Sequence, residues 1–240
     1  MEDFNEVRKQ TLCRITQSLN EVFNEELNNA RYSLIFEICE RNRSLPLKEK
    51  MNPEFQHQYI QSMEIVFIVG LFLTLSFSYY LKKKQDERLM ASLPLLSLFA
   101  HQVEEYVLSP IILGDHYHFI NWAYRISMDI SPTEVVTINA PGWIIVGSLL
   151  LFKSKTNVFS KLFLLINSLL MANAAFHIGV STSQGDFSPG MITSLFMYLP
   201  LFIYAVVLNI EMNTKFRTIF ILSVLGFVLH FILLMRITVF

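Results

Sequence analysis

The chain has 240 residues, of which 52% are hydrophobic and 16% are charged, and its formal net charge is -1. Soluble domains carry about 25% charged residues, so the composition argues against a soluble globular protein. The chain has no excess of basic residues of the kind typical of nucleic-acid binding, so no nucleic-acid partner is expected. Cys13 and Cys39 both lie in the polar N-terminal region without a partner motif, so neither a disulfide framework nor a zinc knuckle is indicated.

The N-terminal region, residues 1–58, is polar and rich in Glu, Asn and Arg. Apolar residues recur there at helical spacing between Ile15 and Leu27, which predicts an amphipathic helix or a pair of helices. Such a helix is either a solvated tail folded against the rest of the chain or a surface that binds a protein partner or a membrane. We therefore predict two domains, residues 1–58 and residues 59–240.

The second domain contains windows that are long and apolar enough to cross a membrane, which takes about 20 residues. Six such windows are 63–81, 89–113, 133–152, 158–180, 190–210 and 218–239. The predicted fold class is an all-α membrane protein, a bundle of about six transmembrane helices with a polar helical N-terminal extension. We expect an integral, multi-pass protein of the cell membrane, surrounded by lipids.

The second window contains "HQVEEY", which places His101, Glu104 and Glu105 inside an apolar segment. Ionisable groups in a membrane span cost several kcal/mol, and they usually face the bundle interior or mark a functional pathway. On a helix these positions are i, i+3 and i+4, so the three side chains project from one face. The spacing predicts a single polar cluster.

Other spans carry polar residues at the same depth, if depth is counted at about 1.5 Å per residue from the basic end of each helix. Asn173 and His177 share a helix face, and Asn139 lies in the preceding span. Interhelical hydrogen bonding is the alternative role for such residues. The predicted catalytic site comprises His101, Glu104, Glu105, Asn139, Asn173 and His177.

Three further histidines are interpreted as having no role in the site. The loop containing Asp115, His116 and His118 has a spacing that can bind a metal, but its composition is typical of a membrane boundary. His230 stands alone in the last span, and we interpret it as structural.

The stretch "SPGMIT" predicts the start of a helix. Ser188 is expected at the N-cap position and Pro189 in the first turn. If this helix begins near the polar cluster, its positive end favours an anionic headgroup.

The motifs "HQVEEY", "NAAFH" and "FSPGMITSLFMYLPLFIY", taken in this order, resemble a family of multi-pass membrane proteins named for its HXXEE motif. The resemblance covers roughly residues 64–240. It is carried by His101, Glu104, Glu105, Asn173, His177, Ser188, Pro189, Gly190, Thr193 and Pro200. The resemblance implies an integral membrane domain whose polar residues suggest an enzyme, without a settled reaction.

The first candidate chemistry is a metal site. Histidine nitrogen and carboxylate oxygen are suitable ligands for zinc or iron. The candidate metal ligands are His101, Glu104, Glu105 and His177: two histidines and one glutamate would bind the ion, and the other glutamate would act as a general base. This predicts a divalent transition metal, Zn or Fe, and a hydrolase or oxidase acting on a lipid-like substrate.

Two other classes stay open. Without a metal, paired carboxyl groups and histidines can perform acid–base chemistry on a lipid, such as double-bond isomerisation. A non-enzymatic protein would use the same residues to conduct protons or ions, or would be a membrane effector controlled by a partner of the N-terminal region. The concentration of polar residues at one level favours a site over a conduit.

Overall fold

The computed structural model describes residues 53–126, 128, 130–152, 154 and 156–239. The predicted N-terminal region lies outside the described residues up to position 52, so its helical character stays a prediction. Within the described ranges all regular structure is helical and no strand occurs, which confirms the all-α class.

The described α-helices are α1 Pro53–Lys83, α2 Leu89–Val103, α3 Ser109–Leu113, α4 Phe119–Arg125, α5 Pro132–Gly147, α6 Asn157–Gln184, α7 Met191–Thr193, α8 Leu199–Glu211 and α9 Phe216–Val239. Two π-helical turns, π1 (Glu104–Leu108) and π2 (Ser194–Tyr198), connect α2 to α3 and α7 to α8. Each π turn therefore lies inside one continuous helical run.

Five of the six predicted spans are confirmed as helices long and apolar enough to cross a membrane. They are Tyr59–Lys83, Pro132–Leu151, Asn157–Gln184, Met191–Glu211 and Phe216–Leu234. Large apolar side chains cover the outside of these helices, and Phe72 and Ile144 are examples at 71% and 75% exposure. An apolar outer surface of this extent is what contact with lipid requires.

The remaining window, 89–113, is helical from Leu89 to Leu113, but it is not among these five helices. The reason is the group of polar side chains in its middle, including His101, Gln102 and the two glutamates, which lowers its mean hydropathy. These side chains are all buried. The run is thus a helix whose polar face is covered by protein.

Local hydrogen bonds explain where two helices start. At the start of α5, the Ser131 hydroxyl accepts the Glu134 N–H at 3.3 Å, and the Glu134 carboxylate accepts the Ser131 N–H at 2.7 Å. At the start of α6, Thr156 Oγ1 accepts the Phe159 N–H at 3.1 Å. These side chains satisfy amides that have no partner inside the helix.

Helix α6 is central to the packing, because α8, α9, π2 and α2 all contact it. Its contact with α9 is close at Gly226, where an added Cβ would lie 2.6 Å from the Cβ of Ser168 and 2.8 Å from the backbone nitrogen of Leu169. Small residues allow such an approach between helices in a membrane. The packing fixes the face of α6 that carries Asn173 and His177.

Candidate functional site

Three buried side chains from α2, π1 and α6 converge on one point. Glu105 Oε1 lies 3.3 Å from His101 Nε2 and 3.2 Å from His177 Nε2. The three ligand atoms all lie within 4.8 Å of one another. We call His101, Glu105 and His177 the His/Glu group. Among the described residues, this is the group with the geometry to hold a metal ion.

The second ring nitrogen of each histidine is engaged by a hydroxyl group. His101 Nδ1 lies 2.8 Å from Thr193 Oγ1, and His177 Nδ1 lies 2.8 Å from Ser188 Oγ. Histidines that bind metals in proteins almost always donate their other ring N–H to an acceptor, which fixes the ring orientation, and a hydroxyl oxygen can accept such a hydrogen bond. Both Nε2 atoms are thereby directed at Glu105.

The hydrogen bonds of Thr193 determine the tautomer of His101. Thr193 Oγ1 donates its hydrogen to Glu104 Oε2 at 2.6 Å, since a carboxylate oxygen only accepts. His101 Nδ1 must therefore donate to Thr193 Oγ1, which leaves a lone pair on Nε2. That lone pair accepts a hydrogen bond from Asn173 Nδ2 at 2.8 Å. Asn173 thus contacts the His/Glu group directly.

Glu104 has different partners from its neighbour Glu105. Its carboxylate accepts the N–H of Ile192 at 2.9 Å and the N–H of Thr193 at 2.7 Å. These amides belong to the start of α7, so Glu104 supplies the negative charge that a helix N-terminus favours. The Glu104 carboxylate is connected to the His101 ring through the Thr193 hydroxyl described above. It contributes no ligand atom to the His/Glu group.

The start of this helix differs from the prediction made from "SPGMIT". Helix α7 begins at Met191 with Gly190 at the N-cap position, so the prediction of Ser188 as N-cap is wrong. The Ser188 hydroxyl bonds to His177 instead, and the Ser188 carbonyl accepts the Met191 N–H at 3.1 Å in a turn. Because Glu104 occupies the amides of the helix start, they are not open to a headgroup.

Gly190 brings the backbone directly onto the site. Its φ is +90°, and an added Cβ would lie 2.5 Å from His101 Cε1 and 3.0 Å from Glu105 Cγ. Glycine adopts this backbone conformation at low cost, and its missing side chain leaves room for the imidazole. The loop before α7 is therefore one wall of the site.

Asn139 belongs to a neighbouring hydrogen-bond network. Its Oδ1 accepts from Gln102 Nε2 at 2.7 Å, and its Nδ2 donates to the Val135 carbonyl at 2.9 Å. Gln102 Oε1 accepts the Trp143 indole N–H at 3.0 Å. This network links α2 to α5 next to His101, and no hydrogen bond described for Asn139 reaches the His/Glu group.

Aromatic side chains surround the His177 imidazole. The rings of Phe176, Phe119 and Trp122 have centroids 5.3, 6.2 and 6.2 Å from it, and the Trp122 ring is stacked on it. Phe119 and Trp122 lie on α4, which follows the loop after the second span. Helix α4 thus covers one side of the site with apolar surface.

A polar contact joins the α4 region to the loop before α7. The Tyr117 hydroxyl donates to Asp186 Oδ1 at 2.6 Å, and Arg125 lies 3.3 Å from Asp186 Oδ2 and stacks over the Tyr117 ring. The hydrogen bond from Tyr117, together with the Phe187 N–H and the Arg125 charge, lowers the pKa of Asp186. The same hydrogen bond raises the pKa of Tyr117.

The other histidines lie outside the His/Glu group. His118 Nε2 is 3.3 Å from Glu64 Oε1, and its ring contacts Tyr106. Burial lowers the pKa of His118. His230 Nε2 is buried and has no hydrogen-bond partner among the described residues, although its ring is close enough to His101 and His177 to interact with them electrostatically.

Sequence reasoning assigned no catalytic role to several residues that shape the site. Thr193 and Ser188 orient the two imidazoles, and Gly190 forms the wall against them. Their sequence signal was their place in the motif that carries the family resemblance. Nothing in the local sequence identifies Gln102 as the partner of Asn139.

Residues 91–205 match the family described as "Protein of unknown function with HXXEE motif". The matched range contains the complete His/Glu group and the loop that packs against it. It is shorter than the roughly 64–240 that the resemblance was expected to cover. No curated protein and no solved structure matches the chain. Over residues 91–205 the chain is therefore similar to the HXXEE family.

Proposed function

We propose that the His/Glu group binds one divalent transition metal and that the protein is a membrane-embedded metal-dependent enzyme acting on a lipid-like substrate. The observation that carries the proposal is the convergence of two imidazole nitrogens and one carboxylate oxygen, with the opposite nitrogen of each imidazole held by a hydroxyl. Such a combination of ligands and supporting hydrogen bonds is typical of metal sites with an open position.

The distances within the group support this proposal. A tetrahedral ion with bonds of about 2.0–2.1 Å holds its ligand atoms about 3.3–3.4 Å apart. Glu105 Oε1 lies 3.3 Å and 3.2 Å from the two Nε2 atoms. These two spacings match those of a zinc or iron site, and all three ligand atoms lie within 4.8 Å of one another. A metal on His101 Nε2 would replace the hydrogen bond from Asn173.

The donor set suits two kinds of chemistry. Two histidines and one carboxylate are the ligands of many hydrolytic zinc sites and of non-haem iron oxygenases. A bound zinc ion supplies Lewis-acid polarisation of an oxygen group, and a bound iron ion also supplies redox chemistry. Glu104 is less suited to act as the base, because Ile192 and Thr193 already occupy its oxygens.

The substrate class follows from the surroundings of the site. The His/Glu group lies between apolar helices, and the rings of Phe119, Trp122 and Phe176 line one side of it. Such surroundings favour a lipid-like molecule, whereas a small ionic substrate would lose its hydration. We propose membrane lipids as the source of the substrate.

The metal content of the purified protein tests the proposal. The full-length chain is purified in detergent without chelators, and metals are quantified by mass spectrometry in the wild type and in His101→Ala, Glu105→Gln and His177→Ala. His116→Ala is the matched control, since His116 does not belong to the group. Elution volume and helical circular dichroism establish that each variant is folded.

The expected result is about one ion per chain in the wild type and in the control, and loss of the ion in the three ligand variants. A metal-free wild type would overturn the metal proposal. The direct contacts of Glu105 with two histidines would then favour acid–base catalysis, for instance by an isomerase. A non-enzymatic conductor or effector, controlled by a protein partner of residues 1–58, would show no turnover of any lipid.

A further inference from the structure

Two hydroxyl groups on π2 are buried without a hydrogen-bond partner among the described residues. They are Ser194 Oγ and Tyr198 OH, and both side chains have 0% exposure. Buried polar groups in proteins are nearly always paired, and an unpaired one calls for an explanation such as a ligand. The two positions are i and i+4, so both hydroxyl-bearing side chains leave the same face of the turn.

This face lies beside the His/Glu group. The Tyr198 ring is 4.8 Å from the His101 ring, centroid to centroid. Thr193, the residue before Ser194, holds His101 by its hydroxyl at 2.8 Å. The Tyr198 hydroxyl is also close enough to the carboxylate of Glu105 to interact with it electrostatically.

The remaining surroundings of Tyr198 are apolar. Tyr198 forms a cluster with Leu170 and Ala174 of α6, and Leu98 and Met171 pack against it. A π turn places these hydroxyls in the first half of the membrane-spanning helix Met191–Glu211, and such turns occur frequently at functional sites. The region therefore combines two unpaired hydroxyls, an apolar lining and a neighbouring group suited to chemistry.

We propose that Ser194 and Tyr198 bind the oxygen-bearing group of the substrate, a hydroxyl or carbonyl on an otherwise apolar lipid. Each hydroxyl can both donate and accept a hydrogen bond, which suits a neutral oxygen. The nearby carboxylates of Glu104 and Glu105 disfavour an anionic phosphate headgroup. This inference rests on the proposed function for the reaction, but the binding itself is measured separately from the metal.

Binding of three matched probes to the full-length protein in detergent tests the inference. The probes are 1-hexadecanol, 2-hexadecanone and hexadecane, and their affinities are measured by displacement of a fluorescent fatty alcohol. The variants are Tyr198→Phe and Ser194→Ala. Tyr204→Phe is the control, because Tyr204 lies on α8 with 39% of its surface exposed.

The wild type is expected to bind the alcohol and the ketone more tightly than the alkane. Tyr198→Phe is expected to weaken alcohol binding about five- to tenfold, the size of one hydrogen bond, and to leave hexadecane binding unchanged. Tyr204→Phe leaves all three affinities unchanged. Equal affinity of the wild type for the alcohol and the alkane would overturn the inference.

A second measurement does not depend on any probe. Since an unpaired buried hydroxyl destabilises a protein, Tyr198→Phe without ligand is expected to unfold at or above the wild-type midpoint. A lower midpoint would show that the hydroxyl is paired in the resting protein and would contradict the inference. Metal content is determined on the same samples, so a metal-free wild type that still prefers the alcohol would overturn the metal proposal alone.

Discussion

Replacing Gly190 by alanine tests whether the loop before α7 forms a wall of the site. Gly190 has φ +90°, a conformation that costs a residue with a side chain about 1–2 kcal/mol. The added Cβ would lie 2.5 Å from His101 Cε1, so the imidazole or the loop must move. Overpacking of this kind costs about 1–3 kcal/mol. The total expected loss of stability is about 2–5 kcal/mol.

Gly185→Ala is the matched control for this experiment. Gly185 also has a positive φ, +64°, but an added Cβ would have no neighbour within 4 Å. Its substitution should therefore cost only the conformational share, about 1–2 kcal/mol. The free energy of unfolding of both variants is measured by equilibrium unfolding in mixed detergent micelles. The metal content of each folded variant is measured as well. The reasoning is refuted if Gly190→Ala costs no more than Gly185→Ala and retains the metal equally well.

Two further substitutions test the helix packing and the contact that joins α4 to the loop before α7. Gly226→Ala should destabilise the protein by about 1–3 kcal/mol, because its Cβ would lie 2.6 Å from that of Ser168. An added Cβ at Gly142 would have nothing within 4 Å, so Gly142→Ala should be neutral or stabilising. Equal losses of stability in Gly226→Ala and Gly142→Ala would contradict the close packing at Gly226. The pKa of Asp186 is lowered below 3.8, so its stabilising effect is present above that pH and is lost as pH falls through the folded pKa. The unfolding midpoints of the wild type and Asp186→Asn should therefore differ at neutral pH and converge in acid, whereas a constant difference would argue against this ionic contact.

Much of the fold follows from the sequence alone. Five of the six predicted apolar windows are confirmed, because a membrane-crossing helix must satisfy its own backbone and face lipid. The helical period also places His101 with Glu105, and Asn173 with His177, since residues four apart share a face. The similar depth of these two pairs along their helices is consistent with their contact in the structure.

The different roles of the two adjacent glutamates could not be predicted from the sequence. Glu104 and Glu105 are equivalent by spacing, and only the position of α7 directs Glu104 to the amides of Ile192 and Thr193. The start of α7 was missed because Ser188 and Pro189 provide a strong local signal for a helix start. That signal is overridden by the bond of Ser188 to His177 and by the positive φ of Gly190.

The sequence also placed Asn139 at the depth of the site without identifying its partner. Depth along a helix is readable from the sequence, but the rotation of one helix against another depends on packing. Asn139 faces Gln102, which follows His101 by one residue and points elsewhere. A rotation of α5 would change this pairing without any change in hydropathy pattern.

The most direct test of the account is X-ray absorption spectroscopy at the edge of the metal that copurifies with the full-length protein. The account predicts nitrogen and oxygen ligands at about 2.0–2.1 Å with scattering from two imidazole rings. One imidazole contribution should disappear in His177→Ala if that variant is loaded with excess metal. A shell of oxygen ligands without imidazole scattering, or a spectrum unchanged by His177→Ala, would contradict a metal centre formed by His101, Glu105 and His177.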